Sequence, residues 1–568
     1  MKKLIAATLL MALSAVAAAA DFKPVLTGLD NIPLHSVPLL TVQKSLKLAQ
    51  SKTAPLQFAI GAVMPLKMSD GVWTKIDNDT WSWRTRIFSA NAETLNFVFA
   101  KFHMPAGGAM WIYDAAGQLV QGPYTSAQET PSGKLWTAVV MGDTAIIEAR
   151  VPASVKNQMQ IELARVNHGF RGFGKTGSGQ ESGSCNIDVA CTQAAPWANE
   201  ARSVARITID GTLLCTGELL NNTNQDNDPL FITASHCEIG NNSIGTANSL
   251  PAASVTFYWN YVNNQCGGGS DTGLSQNQVG STLVASDMGS DFTLLRLNQA
   301  PDQAFNVYFG GWTASATDVP QSGAVLHHPG GDVTKISFFS GNTSRVASAQ
   351  EFDGFFNETR AVNVWQVRYT SGTTEEGSSG GAIYDQNHHI FGTLTGGESS
   401  CSNPSGFDYY GRFDLAWAAN SSATAQLKAH LDPGNTGAMS FAGKFAYPPT
   451  VTISASPTTI NLGQSSTITW STSNVTSCTA SGAWSGSQVT SGSVLQTPAT
   501  TGSQNYTLTC TGLNGTTSNV ASVSVNNADG SNAGGGGGGG ALPPLTLASL
   551  GAFVLLRRRA TSRRASSV

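Results

Sequence analysis

The feature that most limits how this chain can fold is the placement of its eight cysteines, because none lies before Cys185. An even number with no C-x-x-C pair is the pattern of disulfides in an oxidising compartment rather than of a zinc site. Cys185, Cys191, Cys215, Cys237, Cys266 and Cys401 fall within residues 182–445, and Cys478 and Cys510 fall within residues 448–527. The middle and late blocks can therefore be stapled, whereas residues 21–181 must fold by burial alone. Spacing does not choose among the possible pairings.

The N-terminus agrees with an oxidising destination. Lys2 and Lys3 precede an apolar stretch from Leu4 to Val16, and Ala18-Ala19-Ala20 offers a small-residue cleavage site before Asp21. Residues 1–20 therefore read as a signal peptide. Charged residues are only 12% of the chain and glycine is abundant, which suits turn-rich extracellular β-domains. A net charge of −4 over 568 residues gives no electrostatic reason to expect a nucleic-acid partner.

Residues 21–181 carry strand-like runs such as Leu95-Asn96-Phe97-Val98-Phe99 and Met159-Gln160-Ile161-Glu162-Leu163, so a β-rich propeptide is expected. A Gly/Ser-rich stretch from Gly172 to Ser184, containing Lys175 and edged by Arg171, reads as an exposed, cleavable linker. Short β segments recur through residues 182–445 at spacings that favour antiparallel barrels over βαβ units. A helical pattern at Ala423 to Leu431 closes that block before Asp432-Pro433-Gly434. Residues 448–527, with Trp470 and Trp484 as large core side chains, predict an immunoglobulin-like sandwich. A Gly-rich linker (528–540), an apolar membrane segment (541–556) and a basic tail (557–568) end the chain. The fold class expected is all-β.

One set of residues suits nucleophilic catalysis. A serine hydroxyl needs a base to take its proton, a carboxylate to hold that base, and backbone donors for the oxyanion. Ser379 lies in Gly377-Ser378-Ser379-Gly380-Gly381, whose glycines let backbone N–H groups converge. It is the expected nucleophile, with the amides of Gly377 and Ser379 as oxyanion donors. His236, in Thr233-Ala234-Ser235-His236-Cys237, sits where a β-branched run ends beside a cysteine, and is the expected base. Asp291 heads the apolar run Phe292-Thr293-Leu294-Leu295 and would be costly to bury without a partner such as that imidazole. The adjacent His327 and His328 lie on a Pro/Gly turn with no acids or cysteines gathered near them in sequence, so they read as a structural loop; neither metal nor cofactor is expected.

These motifs, in the order His, Asp, Ser, make the block resemble the lysyl endopeptidase branch of the trypsin-like proteases. The match runs from Gly183-Ser184-Cys185-Asn186 to Tyr410-Gly411-Arg412, through Tyr258-Trp259-Asn260-Tyr261, His327-His328-Pro329 and Ser399-Ser400-Cys401. The resemblance implies a chymotrypsin-like double β-barrel and disulfides Cys185–Cys401, Cys191–Cys266 and Cys215–Cys237, leaving Cys478 and Cys510 to pair. It also implies a substrate pocket with Asp408 at its base, lined by Thr395, Gly396 and Gly397, that accepts Lys and Arg. Two departures weigh against lysine alone: Thr395 stands where strict members have histidine, and residues 349–356 offer Phe352, Phe355 and Phe356 but no tryptophan. Trypsin's activating acid just before the nucleophile is Ser378 here, so an ammonium–carboxylate switch at that point is not expected. The C-terminal tail resembles the GlyGly-CTERM sorting signal, which implies type II-like secretion and a rhomboid-type processing protease.

The reading that follows is a secreted serine endopeptidase, expected as a monomer, acting on protein or peptide substrates. An α/β-hydrolase would instead use Ser379, an acid and then His430 in that order. A catalytically inactive adhesin on the protease fold is the other alternative.

Overall fold

The computed structural model describes residues 22–38, 55–173, 182–240, 249–353, 359–419, 421–512 and 515–529. The expected signal peptide, Lys175, Phe355, Phe356 and the chain from residue 530 onward lie outside these. The chain is all-β and forms two compact units, one ending at Pro449 and the other starting at Thr450. Among the described residues no helix is long and apolar enough to cross a membrane.

The first unit begins with a two-sheet block. Strands Thr80–Phe88, Thr144–Pro152 and Ala109–Asp114 form the centre of one sheet, and Thr94–His103, Gln160–Gly169 and Ala59–Leu66 form most of the other. Leu95, Phe97, Phe99, Met110, Trp83 and Ile147 fill the space between them. Burying side chains of this size contributes roughly 1.5–3 kcal/mol each before entropy is subtracted, which lets a block without disulfides hold its shape.

Two further sheets follow. In the first, Val204–Ile209, Leu213–Leu220, Leu230–Thr233 and Phe292–Leu297 pair in that order. Its interior holds Ile207, Phe231, Phe257, Trp259 and Leu295. The second closes on itself through Ala382–Asp385, Ser322–His327, Lys335–Arg345, Val364–Ser371, Asp408–Arg412 and His389–Gly397, a six-stranded barrel around Val325, Phe339, Trp365 and Leu394. Between the two, Ile232 and Leu294 pack with Leu326, Tyr384 and Ile390. The disulfides here are Cys185–Cys401, Cys191–Cys266 and Cys215–Cys237.

The N-terminal block docks on the first of these sheets. Leu56–Gln57 pairs antiparallel with Leu213 and Leu214, and the Phe58 amide donates to the Thr212 carbonyl at 2.9 Å. Asp210 takes the Trp136 indole N–H at 2.8 Å and pairs with Arg165 at 2.8 Å. At Gly211 (φ +67°) any Cβ would come within 2.1 Å of Asn96 Oδ1, so glycine is what lets this turn enter the docking surface.

Two expectations need correction and a third gains detail. The stretch read as an exposed linker is anchored at both ends: Phe173 is buried against the Arg206 guanidinium, which donates to the Gly172 carbonyl at 3.2 Å, and Ser182 donates to Asp332 at 2.6 Å. Aromatic surface and a cation draw the chain down where composition alone suggested solvent. The helix at Ala423 to Leu431 is a 3₁₀ turn, Ala423–Ala425, and one α-turn, Lys428–Leu431, because Gln426 between them is extended. The C-terminal unit is a pair of sheets with Trp470 and Trp484 edge-on at 5.3 Å in its core. Its Cys478–Cys510 disulfide joins neighbouring strands of one sheet, Ser477–Gly482 and Gly502–Gly512, rather than bridging the two sheets as in antibody domains. Its Thr459–Asn461 strand runs parallel to the end of the last strand, Gly515–Asn526, through residues 524–526.

Candidate active site

Strand register brings the proposed base and acid together. Leu230–Thr233 pairs with Phe292–Leu297 so that Thr233 lies opposite Thr293, which leaves the turn Ser235–Cys237 beside Asp291. Asp291 Oδ2 is 2.8 Å from His236 Nδ1, while Oδ1 accepts from the His236 amide and the Ser235 hydroxyl, each at 3.0 Å. Neither residue is exposed beyond 2%. Burial pushes the Asp291 pKa up, but His236, its hydrogen bond, Arg360 and Thr395 together hold it below the usual carboxylate value. The acid is therefore ionised and orients the ring, and His236 Nε2 is buried without a protein hydrogen bond.

Ser379 arrives from the other barrel, in the loop leading to Ala382–Asp385. Thr216 fixes this loop across the barrel boundary: its amide donates to the Ser379 carbonyl at 2.8 Å and its hydroxyl to the Gly377 carbonyl at 2.9 Å. These bonds fix the 377–378 and 379–380 peptides on either side of the Ser379 amide, and the Gly330 amide donates to the Glu376 carbonyl at 2.6 Å, which orients the peptide carrying the Gly377 amide; an oxyanion hole needs donors fixed in this way. The Cys237 sulfur lies 3.9 Å from the same Ser379 carbonyl, so the Cys215–Cys237 disulfide lies between the His236 turn and the Ser379 loop. Ser379 is 1% exposed.

Asp408 lies fully buried at the start of Asp408–Arg412. The Ser399 amide donates to its Oδ1 at 3.1 Å, the Thr374 hydroxyl donates to Oδ2, and the paired hydroxyls of Tyr369 and Tyr410 lie close by. Burial and the Asp408 charge push both tyrosines well above their ordinary pKa, so they stay neutral. Gly396 and Gly397 pair with Tyr409 and Asp408, and Phe352 meets the Tyr409 ring edge-on. The ladder shifts register between Leu394 and Gly396, which puts Thr395 beside Asp291 as well as on this strand.

Sequence reasoning did not find Thr216, Thr374, Tyr369 or the buried Glu238–Arg360 ion pair next to the base. Thr and Tyr within β-runs carry no sequence signal of their own; only the fold makes them neighbours. His327 and His328, read as a loop, are the end of a strand and the start of a turn, both fully buried. Burial first, then the Arg206 charge, lowers the His328 pKa to about 3. His430, which the α/β-hydrolase alternative required, instead bonds the Ala423 carbonyl near the surface, and no βαβ unit occurs among the described residues.

With a double barrel and this constellation in place, comparison with known proteins defines the class. Residues 179–411 match the family described as lysyl endopeptidase, C-terminal domain, and the chain is a serine endopeptidase. More narrowly, it is similar to a lysyl endopeptidase of Pseudomonas aeruginosa, 28% identical over 428 residues, which cover 67% of this chain and 84% of the relative. That alignment is longer than the matched catalytic segment. Similar solved structures include a protease from M. tuberculosis in its active form (17% identity, TM-score 0.27, 43% of this chain and 90% of that one). A Glu endopeptidase in complex with MPD is another (19%, 0.25, 41% and 93%).

Proposed function

We propose that this is a secreted endopeptidase, made as a precursor, that cleaves peptide bonds after Lys and Arg with Ser379, His236 and Asp291 as its triad. The buried His236–Asp291 pair beside a nucleophile loop pinned by Thr216 carries this reading. His236 Nε2 takes the Ser379 proton as Oγ attacks the carbonyl carbon, and the amides of Gly377 and Ser379 hold the oxyanion. The imidazolium then gives its proton to the leaving amine, and water activated by the same ring hydrolyses the acyl-enzyme.

Asp408 supports the basic preference. A carboxylate buried among hydroxyls and an amide gains most from a cation, and a Lys or Arg side chain supplies one. The name of the Pseudomonas relative points to lysine. The docked N-terminal block is the propeptide in this reading, released by cleavage after Lys175; the disulfides and the expected leader fit export.

An organophosphonate probe tests the proposal. Covalent labelling at Ser379, with loss of peptidase activity in proportion, supports it. Absence of labelling in folded, processed protein sinks it and favours the adhesin.

A further inference from the structure

Beneath the nucleophile loop lies a closed circuit of hydrogen bonds through His327, a residue that the proposed mechanism leaves idle. His327 Nδ1 is 2.8 Å from the Ser378 hydroxyl, and its Nε2 is 3.2 Å from the Ser337 hydroxyl. Ser378 Oγ also accepts the Glu375 amide at 3.2 Å, and Ser337 donates its proton to the Thr373 carbonyl at 2.7 Å. All of His327, Ser337, Thr373 and Ser378 are fully buried. Gly372 (φ +79°) makes the approach possible, since a Cβ there would fall 2.4 Å from Ser337 Oγ.

Counting donors fixes the direction of the bonds at Ser337. Ser337 has one hydroxyl proton and spends it on Thr373, so it must accept from His327, which places the imidazole proton on Nε2. With Nε2–H donating to Ser337, Nδ1 lies against the Ser378 hydroxyl, which also takes the Glu375 amide. The ring thus grips the loop at both ends, Thr373 through Ser337 and Ser378 directly. Residues 373–379 carry both proposed oxyanion donors.

We infer that His327, Ser337 and Ser378 form a positioning clamp that holds the Gly377 and Ser379 amides in the oxyanion geometry, in place of an ammonium–carboxylate switch. The inference rests on the reading of Ser379 as nucleophile. The three clamp side chains lie outside the segment around Lys175, whereas Glu375 and Glu376 of the same loop meet its flanks, through the Gly183 amide at 2.9 Å and Arg171 at 3.9 Å. In this reading the clamp stands formed in the uncut chain, so activation does not consist of building it.

The test compares Ser378→Ala, Ser337→Ala and His327→Phe with the parent enzyme. A single lost oxyanion donor costs ~10²–10³ in kcat, so a loosened clamp is expected to lower kcat by about 10- to 100-fold with KM within about twofold. The second-order rate of Ser379 labelling by an organophosphonate, which builds negative charge on an oxygen in that hole, should fall in parallel. A labelling rate per folded molecule is insensitive to how much protein has unfolded, and the two serine variants remove one atom each, so a poorly folding His327→Phe does not spoil the comparison. Unchanged kcat and labelling in both serine variants overturn the clamp. A parent enzyme that is active but not labelled at Ser379 overturns the nucleophile reading instead. Precursor locked by Lys175→Ala should still react with a small probe within about tenfold of the mature enzyme, and a loss of 10³ or more would show that the loop forms only on cleavage.

Discussion

The N-terminal block and the double barrel reach stability by different routes, and the difference bears on what each can be used for. The block has large buried aromatic and aliphatic side chains and no covalent closure. The double barrel has three disulfides, of which Cys185–Cys401 ties the first residues after the Gly172 to Ser184 stretch to the far end of the domain. A cut between these regions leaves everything from residue 182 onward covalently held, while everything before is retained by noncovalent contacts, among them strand pairing, Asp210, the Arg206–Phe173 contact and the bond from the Val139 amide to the Tyr258 hydroxyl. Under the proposed function, the first region is the one released and the second the one that persists.

The sharpest way to break this contrast is Ser379→Ala. Loss of the nucleophile should lower kcat by roughly 10⁶ and, if the enzyme cuts itself, leave the block attached. N-terminal sequencing should find the parent enzyme starting between residues 176 and 183 and the variant starting at Asp21. Acid should separate the two regions next. His328 of the double barrel is neutral in the fold with a pKa of about 3, against about 6.5 unfolded. Its penalty is absent well above pH 6.5 and grows as pH falls, because the unfolded chain gains the proton first; by pH 3 it reaches about 4 kcal/mol. Denaturant titrations from pH 7 to 4 should show this slope, and His328→Gln should flatten it.

Asp408→Asn should sharpen the comparison by showing that selectivity resides wholly in the stapled region. We expect kcat/KM for Lys and Arg substrates to fall about 10³-fold, with small uncharged P1 residues little affected, as profiling of cleaved peptides would reveal. The smallest effect belongs to the docking surface. Asp210→Ala removes the Trp136 and Arg165 contacts and should weaken retention of the cut block by about 1–3 kcal/mol, seen as earlier onset of activity after cleavage.

Much of this was legible in the sequence because the informative residues announce themselves. A β-branched run into Ser235-His236-Cys237, an acid heading an apolar strand, and a serine among glycines each carry a local signature. The all-β class followed from short apolar runs at close spacing. What stayed hidden was pairwise: the partners of Asp408, the Thr216 bonds and the His327 circuit join residues tens to hundreds of positions apart. Phe173 misled because a Gly/Ser-rich context outweighed one aromatic residue, and Gln426 because a helical apolar pattern says nothing about a single extended residue within it. The cysteine count predicted a pair in the C-terminal unit but not that it would staple adjacent strands.

That last unit has a mechanical property worth stating. Its Thr459–Asn461 strand lies parallel to the end of its final strand, near the two ends of the domain. Tension applied at both ends loads those rungs in shear, so they resist together instead of peeling one by one. Beyond them, the Cys478–Cys510 bond stops extension of the residues it encloses. A domain wired this way can transmit a pull along the chain without paying out its full length.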